Sequence, residues 1–429
     1  MNYRIFPPDG LPEASVTMPL SKSVSNRALI ISALTENVAP LAELADCTDT
    51  VALQRALEAD ATGGATIDVG DAGTAMRFLT AYFAARPGCE VTLQGSERMH
   101  ERPIGQLVDA LRGFGAKIDY LGREGFPPLA IKGARLTGGE MTIDATVSSQ
   151  FVSALLMVAP VMTNGLRLTL VGEPASLPYI DLTLSMMAAA GAEAEREHDI
   201  VAVAARPYAP VTLRAEGDWS AATFWFEIEA LTSGFMTLES LQADSRQPDR
   251  RALELFGELG AVGEPSEETE NAVELCGSPD VAPRFSADLS ATPDMAPALA
   301  VTCAMIGVPF RLTGLQSLRI KETDRLEALS TELRKIGALT ETEGDHTLSW
   351  DGRRHPVLER PEFDTYGDHR MAMALAPVGA YIPGVVVRDI EVVGKSYPRF
   401  WDDMRAAGFT VVDADSEWTE PSDGEEGDE

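Results

Sequence analysis

At 429 residues, with 45% hydrophobic and 24% charged positions, the chain can build two or three domains around a large core and has the composition of an ordinary globular protein. Its net charge of −31 argues against nucleic acid or an anionic membrane as partner. The opening MNYRIFPPDG has neither a basic leader nor an apolar run, and the longest apolar stretch, MAMALAPVGAYIPGVVV, is broken by prolines and glycines, so neither a secretory signal nor a membrane span is expected.

Six nearly all-apolar segments succeed one another: VSNRALIISAL, GTAMRFLTAYFAA, SSQFVSALLMVAP, SAATFWFEIEAL, TPDMAPALAVTCAMIG and DHRMAMALAPVGAYI. A helix that is apolar all round must be buried. A second series runs in phase with them, each an amphipathic helix, a glycine and an alternating strand: LVDALRGFGAKIDY, LTLSMMAAAGAEAERE, ALELFGELGAVGE, LEALSTELRKIGALTETE and FWDDMRAAGFTVVD. Their glycines Gly115, Gly191, Gly260, Gly337 and Gly408 fit helix C-caps and recur about every 70 residues. A shortened copy, VALQRALEADATGGATIDV, precedes them. The predicted unit is one buried helix, one surface helix and several strands, repeated six times. That period exceeds the usual solenoid repeats, so two globular domains of three units each are expected.

Polar residues gather at one end of the buried helices. Ser23, Ser25 and Asn26 stand at the first, Gly70 to Thr74 at the second, and Ser148, Ser149 and Gln150 at the third. Ser220 opens the fourth, Thr292 to Asp294 the fifth, and Asp368, His369 and Arg370 the sixth. Simple capping accounts for Ser220, Thr292 and Asp49. It does not account for cations at the same ends, where a helix N-terminus beside a positive charge makes an anion site. The candidates are Lys22, Arg27, Arg77, Arg102, Lys321, Arg325, Arg370 and Lys395, which include three of the chain's six lysines. Within RIKETDR, Lys321 and Arg325 lie four apart, at a helix start where like charges repel and cations are disfavoured. Glu322 and Asp324 could screen them, and a bound anion would relieve them.

Other features are plainer. Cys47, Cys89, Cys276 and Cys303 lack metal or disulfide spacing and read as buried thiols in a reducing cytoplasm. The segment DADSEWTEPSDGEEGDE (413–429) reads as a disordered acidic tail. Scarce lysine on an acidic surface suggests adaptation to salt. His369 fits a structural or a catalytic role equally, His100, His198, His346 and His355 read as surface residues, and Glu173 and Asp181 read as structural.

The motifs SKSVSNR, GDAGTAMR, ERPIG, VSSQF, PYID, PDMAPALA, KETDRL, YGDHRMAM and GKSYP, in this order over about residues 20–400, resemble the EPSP synthases, 3-phosphoshikimate 1-carboxyvinyltransferases of the enolpyruvyl transferase family. The resemblance implies an α/β fold, an inside-out α/β barrel of two domains with three βαβαββ repeats each and helix N-termini facing the cleft. Residues 20–215 would form one domain, and 1–19 with 216–412 the other, hinged near Pro19 and Arg214–Gly217. It implies transfer of the enolpyruvyl group of phosphoenolpyruvate to the 5-hydroxyl of shikimate 3-phosphate, by a cytoplasmic monomer without metal or cofactor. Glyphosate would compete at the phosphoenolpyruvate site.

Carried over by position, shikimate 3-phosphate would meet Lys22, Ser23, Arg27, Ser148, Ser149, Gln150, Ser176, Asp294, Ser317 and Lys321. Arg27 would take its carboxylate bidentately. Phosphoenolpyruvate would meet Lys22, Gly73, Arg102, Gln150, Arg325, Arg370 and Lys395, with Gly73 permitting close approach. Asp294 would act as base, with Glu322 and Lys22 handling protons. The chain departs from the family pattern at Leu20, Phe78, Leu177 and Ser317, where glycine, proline, lysine and asparagine are usual. Two rivals stand beside this reading. One is the sister transferase acting on a UDP-amino sugar, whose loop cysteine has no counterpart between Cys89 and Cys276. The other is a non-catalytic anion-binding scaffold.

Overall fold

The computed structural model describes residues 1–36, 41, 43–146, 148–172 and 176–415. The buried helices form at the expected places: α1 (Lys22–Ala33), α2 (Gly73–Ala84), α3 (Ser149–Val158), α4 (Trp219–Thr232), α5 (Ala296–Ile306) and α6 (His369–Leu375). Each is apolar on nearly every face. The last is short because Pro377 cannot continue an α-helix, and the chain tightens there into a 3-10 turn, Ala376–Ala380.

Among the described residues there are five four-stranded sheets, all with the same succession of strand directions. In each, two parallel strands are followed outward by two antiparallel ones. In the sheet built from Gly139–Asp144, Leu166–Val171, Ile200–Val203 and Ala194–Glu197, for example, the first pair is parallel and α3 is its crossover. Parallel neighbours need such a crossover, whereas the closing pair needs only a hairpin. The surface helix precedes that hairpin, and its terminal glycine turns the chain. Gly115, Gly191, Gly260, Gly337 and Gly408 all have φ between 80° and 98°, where a Cβ would be strained. The sixth unit, around α1, contributes no four-stranded sheet among the described residues.

Two sheets borrow a strand from the chain's beginning. Glu13–Thr17 pairs in parallel with Phe235–Glu239, and Tyr3–Phe6 lies between Val385–Val387 and Thr410–Asp413. Asp413, placed by sequence reading in the disordered tail, is therefore strand, opposite Tyr3. Residues 416–429 of that tail lie outside the described residues, as does Glu173. Buried apolar side chains gather into two clusters. One draws on Val24 to Tyr208; the other joins Ile5, Val16 and Met18 to residues between Trp219 and Val411. The chain passes between them where Leu20 bridges Gly217 in antiparallel fashion, with Ser21 N–H on the Glu216 carbonyl at 2.7 Å.

Candidate active site

Between the two clusters lies a cleft of about 1110 Å³, counting the part open to solvent. Its wall includes Lys22, Ser23, Arg27, Gly73, Arg102, Ser148, Ser149, Gln150, Ser176, Asp294, Ser317, Lys321, Glu322, Arg325 and Arg370. Lys395 stands just behind, its Nζ 3.0 Å from Glu322 Oε1 and donating to the Asp71 carbonyl at 2.7 Å. Every residue expected at the site is thus in or against one cleft. The N-terminal ends of α1, α2, α3 and α6 and the turn before α5 supply most of it. α4 does not: its N-cap is Asp218, which accepts from Ser220 and Ala221 N–H, so Ser220 is not the cap that its position suggested.

In α1, Ser21 caps the helix and Lys22 projects toward Asp49, with Nζ 3.3 Å from Oδ2. Burial pulls the Lys22 pKa down, but Asp49, Cys47 and Glu322 together outweigh it and the ammonium is held above its ordinary value. Asp49 makes no capping bond in its helix, Thr48–Glu58; it is 4% exposed and faces the cleft. One turn on, Arg27 donates to Thr183 Oγ1 at 2.7 Å, to the Ser23 and Tyr179 carbonyls at 2.9 and 3.3 Å, and to Ser153 Oγ at 3.4 Å. No carboxylate among the described residues pairs with it, and burial pulls its pKa down to about 10. With Nε and both Nη2 hydrogens occupied, one Nη1–H remains. Four protein oxygens thus engage the guanidinium, whose carbon stands 5.5 and 5.7 Å from the ring centroids of Phe78 and Tyr179. The bidentate grip expected of Arg27 requires one of these bonds to open.

Gly73 opens α2 without a side-chain cap. A Cβ there would lie 2.6 Å from Arg102 Nη1, so the glycine makes room for a protein guanidinium. Arg77, read as an anion-binding cation, instead donates to the Gly73 and Pro103 carbonyls at 3.2 and 2.9 Å and ties those two segments together. Ser148, extended, caps α3 through Gln150 N–H, and the Gln150 amide donates to Thr74 Oγ1 at 3.1 Å. Ser176 is left-handed (φ 56°), and its N–H crosses to the Ser290 carbonyl at 3.0 Å.

On the opposite wall Asp294 is surrounded by cations. Arg325 Nη1 lies 2.6 Å and Lys321 Nζ 3.3 Å from Oδ1, and Arg370 Nη2 lies 3.3 Å from Oδ2. Burial favours its neutral form, yet Arg370, Lys321 and Arg325 together hold the carboxyl well below the usual range. Glu322 meets Lys395 at 3.0 Å, Arg325 at 3.1 Å and Arg102 at 3.8 Å, and against the pull of burial these cations also hold it well below its ordinary value. The repulsion foreseen between Lys321 and Arg325 is relieved by Asp294 Oδ1, which lies between them, so no bound anion is needed for that. Asp324 is engaged elsewhere, capping Arg325–Lys335 and pairing with Arg319 at 2.8 Å. Arg325, 1% exposed, also holds Asp368 through Nε at 2.6 Å, and Asp368 caps α6 through Arg370 N–H.

Several cleft residues have no obvious signal in the sequence. Asp49 resembles any acidic residue in a first helical turn. Tyr179 lies within PYID, but only the fold turns it toward Arg27 and the cleft. His369, 2% exposed, lines the cleft with neither ring nitrogen hydrogen-bonded; burial, Lys22 and Arg370 keep it neutral. Thr292, read as a cap, makes no capping bond, and its buried hydroxyl has no partner. Cys276 is exposed rather than buried, on an inner strand paired with Phe235 on one side and Val262 on the other. Among the described residues no group of three or more His, Cys, Asp or Glu side chains is placed to hold a metal ion, and no helix is long and apolar enough to cross a membrane.

The lining therefore sets Lys22, Arg27, Arg77, Arg102, Lys321, Arg325 and Arg370 against Asp49, Asp294 and Glu322, with Lys395 and Asp368 behind it. A surplus of cations this deeply buried is built for polyanions. The family model described as EPSP synthase (3-phosphoshikimate 1-carboxyvinyltransferase) matches residues 11–404. The chain is 46% identical over 413 residues to a 3-phosphoshikimate 1-carboxyvinyltransferase of Bacteroides fragilis, covering 96% of this chain and 99% of that one. It is 36% identical over 417 residues to one of Methanospirillum hungatei, covering 91% and 95%. Among solved structures it is similar to EPSP synthase from Acinetobacter baumannii, with TM-score 0.75 at 20% identity, covering 96% of this chain and all of that one.

Proposed function

The chain belongs to the EPSP synthase family and has its two-domain enolpyruvyl transferase fold, and from that premise we propose how the residues of its cleft divide the work. The reaction is transfer of the enolpyruvyl group of phosphoenolpyruvate to the 5-hydroxyl of shikimate 3-phosphate, releasing phosphate, in the shikimate pathway to aromatic amino acids. Nothing in the relatives favours the UDP-amino sugar or the scaffold reading.

We assign shikimate 3-phosphate to Lys22, Ser23, the free Nη1–H of Arg27, the α3 end with Ser148, Ser149 and Gln150, and Ser176, Ser317 and Lys321. Phosphoenolpyruvate lies against Arg102, Arg370 and Lys395, above Gly73, with Arg325 anchoring the carboxylates beneath. The observation that carries this division is the position of the two acids, both of which touch Arg325. Glu322 otherwise faces Lys395 and Arg102 of the phosphoenolpyruvate set, and Asp294 stands between Lys321 and Arg370, one cation from each set.

The 5-hydroxyl oxygen attacks C2 of phosphoenolpyruvate while its C3 gains a proton. The C2–O bond to phosphate then breaks as C3 gives a proton back. Asp294 is the acceptor for the hydroxyl proton, and Glu322 with Lys22 serves C3. Paired with these cations alone, both carboxylates are poor bases. A substrate anion that engages Lys321 or Arg370 withdraws part of that stabilisation from Asp294 and raises its basicity. One that engages Lys395 and Arg102 does the same for Glu322, moving it toward the protonated form a donor requires. Substrate binding thus arms the acids. Phosphate release should be measured with shikimate 3-phosphate and with UDP-N-acetylglucosamine, for the native chain, Asp294→Asn and Glu322→Gln. Turnover with the first substrate only, lowered about 10²–10⁴-fold in each variant, is expected; undiminished turnover in either variant removes that residue from the scheme.

We further infer the boundaries 20–215 and 1–19 with 216–412, supported by the two apolar clusters and the Leu20–Gly217 crossing. A monomer, glyphosate as a competitor of phosphoenolpyruvate, and work in the cytoplasm complete the reading. The unpaired cysteines are consistent with a reducing compartment.

A further inference from the structure

Arg102, Arg370 and Lys395, each no more than 8% exposed, lie in or against the cleft between the lobes. Lobes with separate cores joined at one crossing point are able to hinge. Most contacts across the gap involve groups already assigned to substrate. Arg98 is an exception. It sits in the lobe of α1–α3, just before the turn Met99–Glu101, yet its guanidinium bonds the backbone of the other lobe.

We propose that Arg98 is the latch that holds the lobes closed over the substrates and positions Arg102 against Glu322, an inference that rests on the cleft being the enolpyruvyl transfer site. Arg98 Nε donates to the Glu322 carbonyl and Nη2 to the Lys321 carbonyl, both at 3.0 Å. Among the described residues no backbone N–H reaches either carbonyl, which lie where one 3-10 turn has ended and Arg325–Lys335 has not begun. The third corner of the fork, Nη1, is held by Glu101 at 2.7 Å. Adjacent carbonyls suit the planar fork of arginine, and an ammonium cannot span both in the same way. Four residues on, Arg102 reaches the Glu322 side chain. One short turn therefore grips the backbone of Lys321 and Glu322 and presents a cation to the Glu322 carboxylate. When the lobes part, both bonds break together.

The test compares native protein with Arg98→Ala and Arg98→Lys as full chains. It reads the KM of phosphoenolpyruvate and kcat, the melting temperature without ligand, and the radius of gyration by X-ray scattering, alone and in an equilibrated mixture of substrates and products. Expected are a ligand-free melting temperature unchanged in both variants and contraction with ligands that is weakened in Arg98→Ala. The kcat/KM for phosphoenolpyruvate should fall about 10- to 100-fold in Arg98→Ala and less in Arg98→Lys. Native-like contraction and turnover in Arg98→Ala overturn the latch, and so does a drop in ligand-free melting temperature that tracks the activity loss. Absence of turnover in the native chain would instead sink the reading of the cleft.

Discussion

A methyl group placed on Gly73 would meet the guanidinium of Arg102 before it met any substrate. Nη1 is the flexible end of a long side chain, so the backbone need not move, but Arg102 must turn away from the phosphoenolpyruvate side and from Glu322. Positioning losses of about 1 Å cost up to about 10²-fold. Gly73→Ala is therefore expected to fold as the native chain does and to raise the KM of phosphoenolpyruvate by about tenfold or more. Affinity for shikimate 3-phosphate, measured separately by calorimetry, should hold. Equal losses for both substrates would mean that α2 itself had shifted. Asp49 makes a different case. Its partners Lys22 and Lys395 are cations that the ligands also need. Asp49→Asn leaves Lys22 without the carboxylate that offsets its burial, so its ammonium pKa falls. The alkaline limb of the kcat/KM profile is expected to move to lower pH, and an unmoved limb would show that Lys22 takes no part in it.

At the scale of elements, α4 meets the 3-10 turn Pro248–Arg251 at a buried carboxyl, with the Leu177–Ala189 helix facing it. Asp249, 1% exposed, accepts from Ser220 and, at 3.4 Å, from the Tyr179 hydroxyl, and burial pushes its pKa up to about 6 from 3.8. The folded protein thus keeps this proton to higher pH than the unfolded chain does. Stability contributed here is greatest below about 4, declines as pH rises toward about 6 and is level above it, at up to about 1.4 kcal/mol per unit. Asp249→Asn removes the titration, so melts recorded between pH 4 and 8 should show the variant gaining on the native protein up to about 6 and keeping that lead. A difference independent of pH would rule out the assignment. The repeat itself could be read from residues, because buried helices and C-cap glycines follow local rules that hold in every unit. The strands that residues 1–17 lend to two distant sheets could not, since nothing local distinguishes Tyr3–Phe6 from any other strand. The site divides in the same way. Cations at helix starts stand out in a lysine-poor chain, whereas Asp49, Asp249 and Arg98 gain meaning only from partners far away in sequence. Arg77 misled for the same reason: its charge was visible, but the two carbonyls that occupy it were not.

For the whole molecule the question is how a positive cleft exists inside a chain of net charge −31. A folded protein of 46.0 kDa exposes on the order of 16,000 Å², so its net negative charges stand on the order of 20 Å apart. That spacing is shorter than the screening length of about 30 Å at 0.01 M salt and longer than the length of about 10 Å at 0.1 M. Self-repulsion should therefore act at low salt and be largely screened by about 0.1 M. The buried ion pairs around Asp294, Glu322 and Arg325 are shielded from mobile ions and should hardly respond. The melting temperature is expected to rise between about 0.01 and 0.1 M potassium chloride and then to flatten, if repulsion is all that salt relieves. A rise that continues into the molar range would require an acidic surface adapted to concentrated salt, through hydration that screening does not describe. A melting temperature indifferent to salt from the lowest concentration upward would exclude both, leaving the negative charge without a thermodynamic role in this fold.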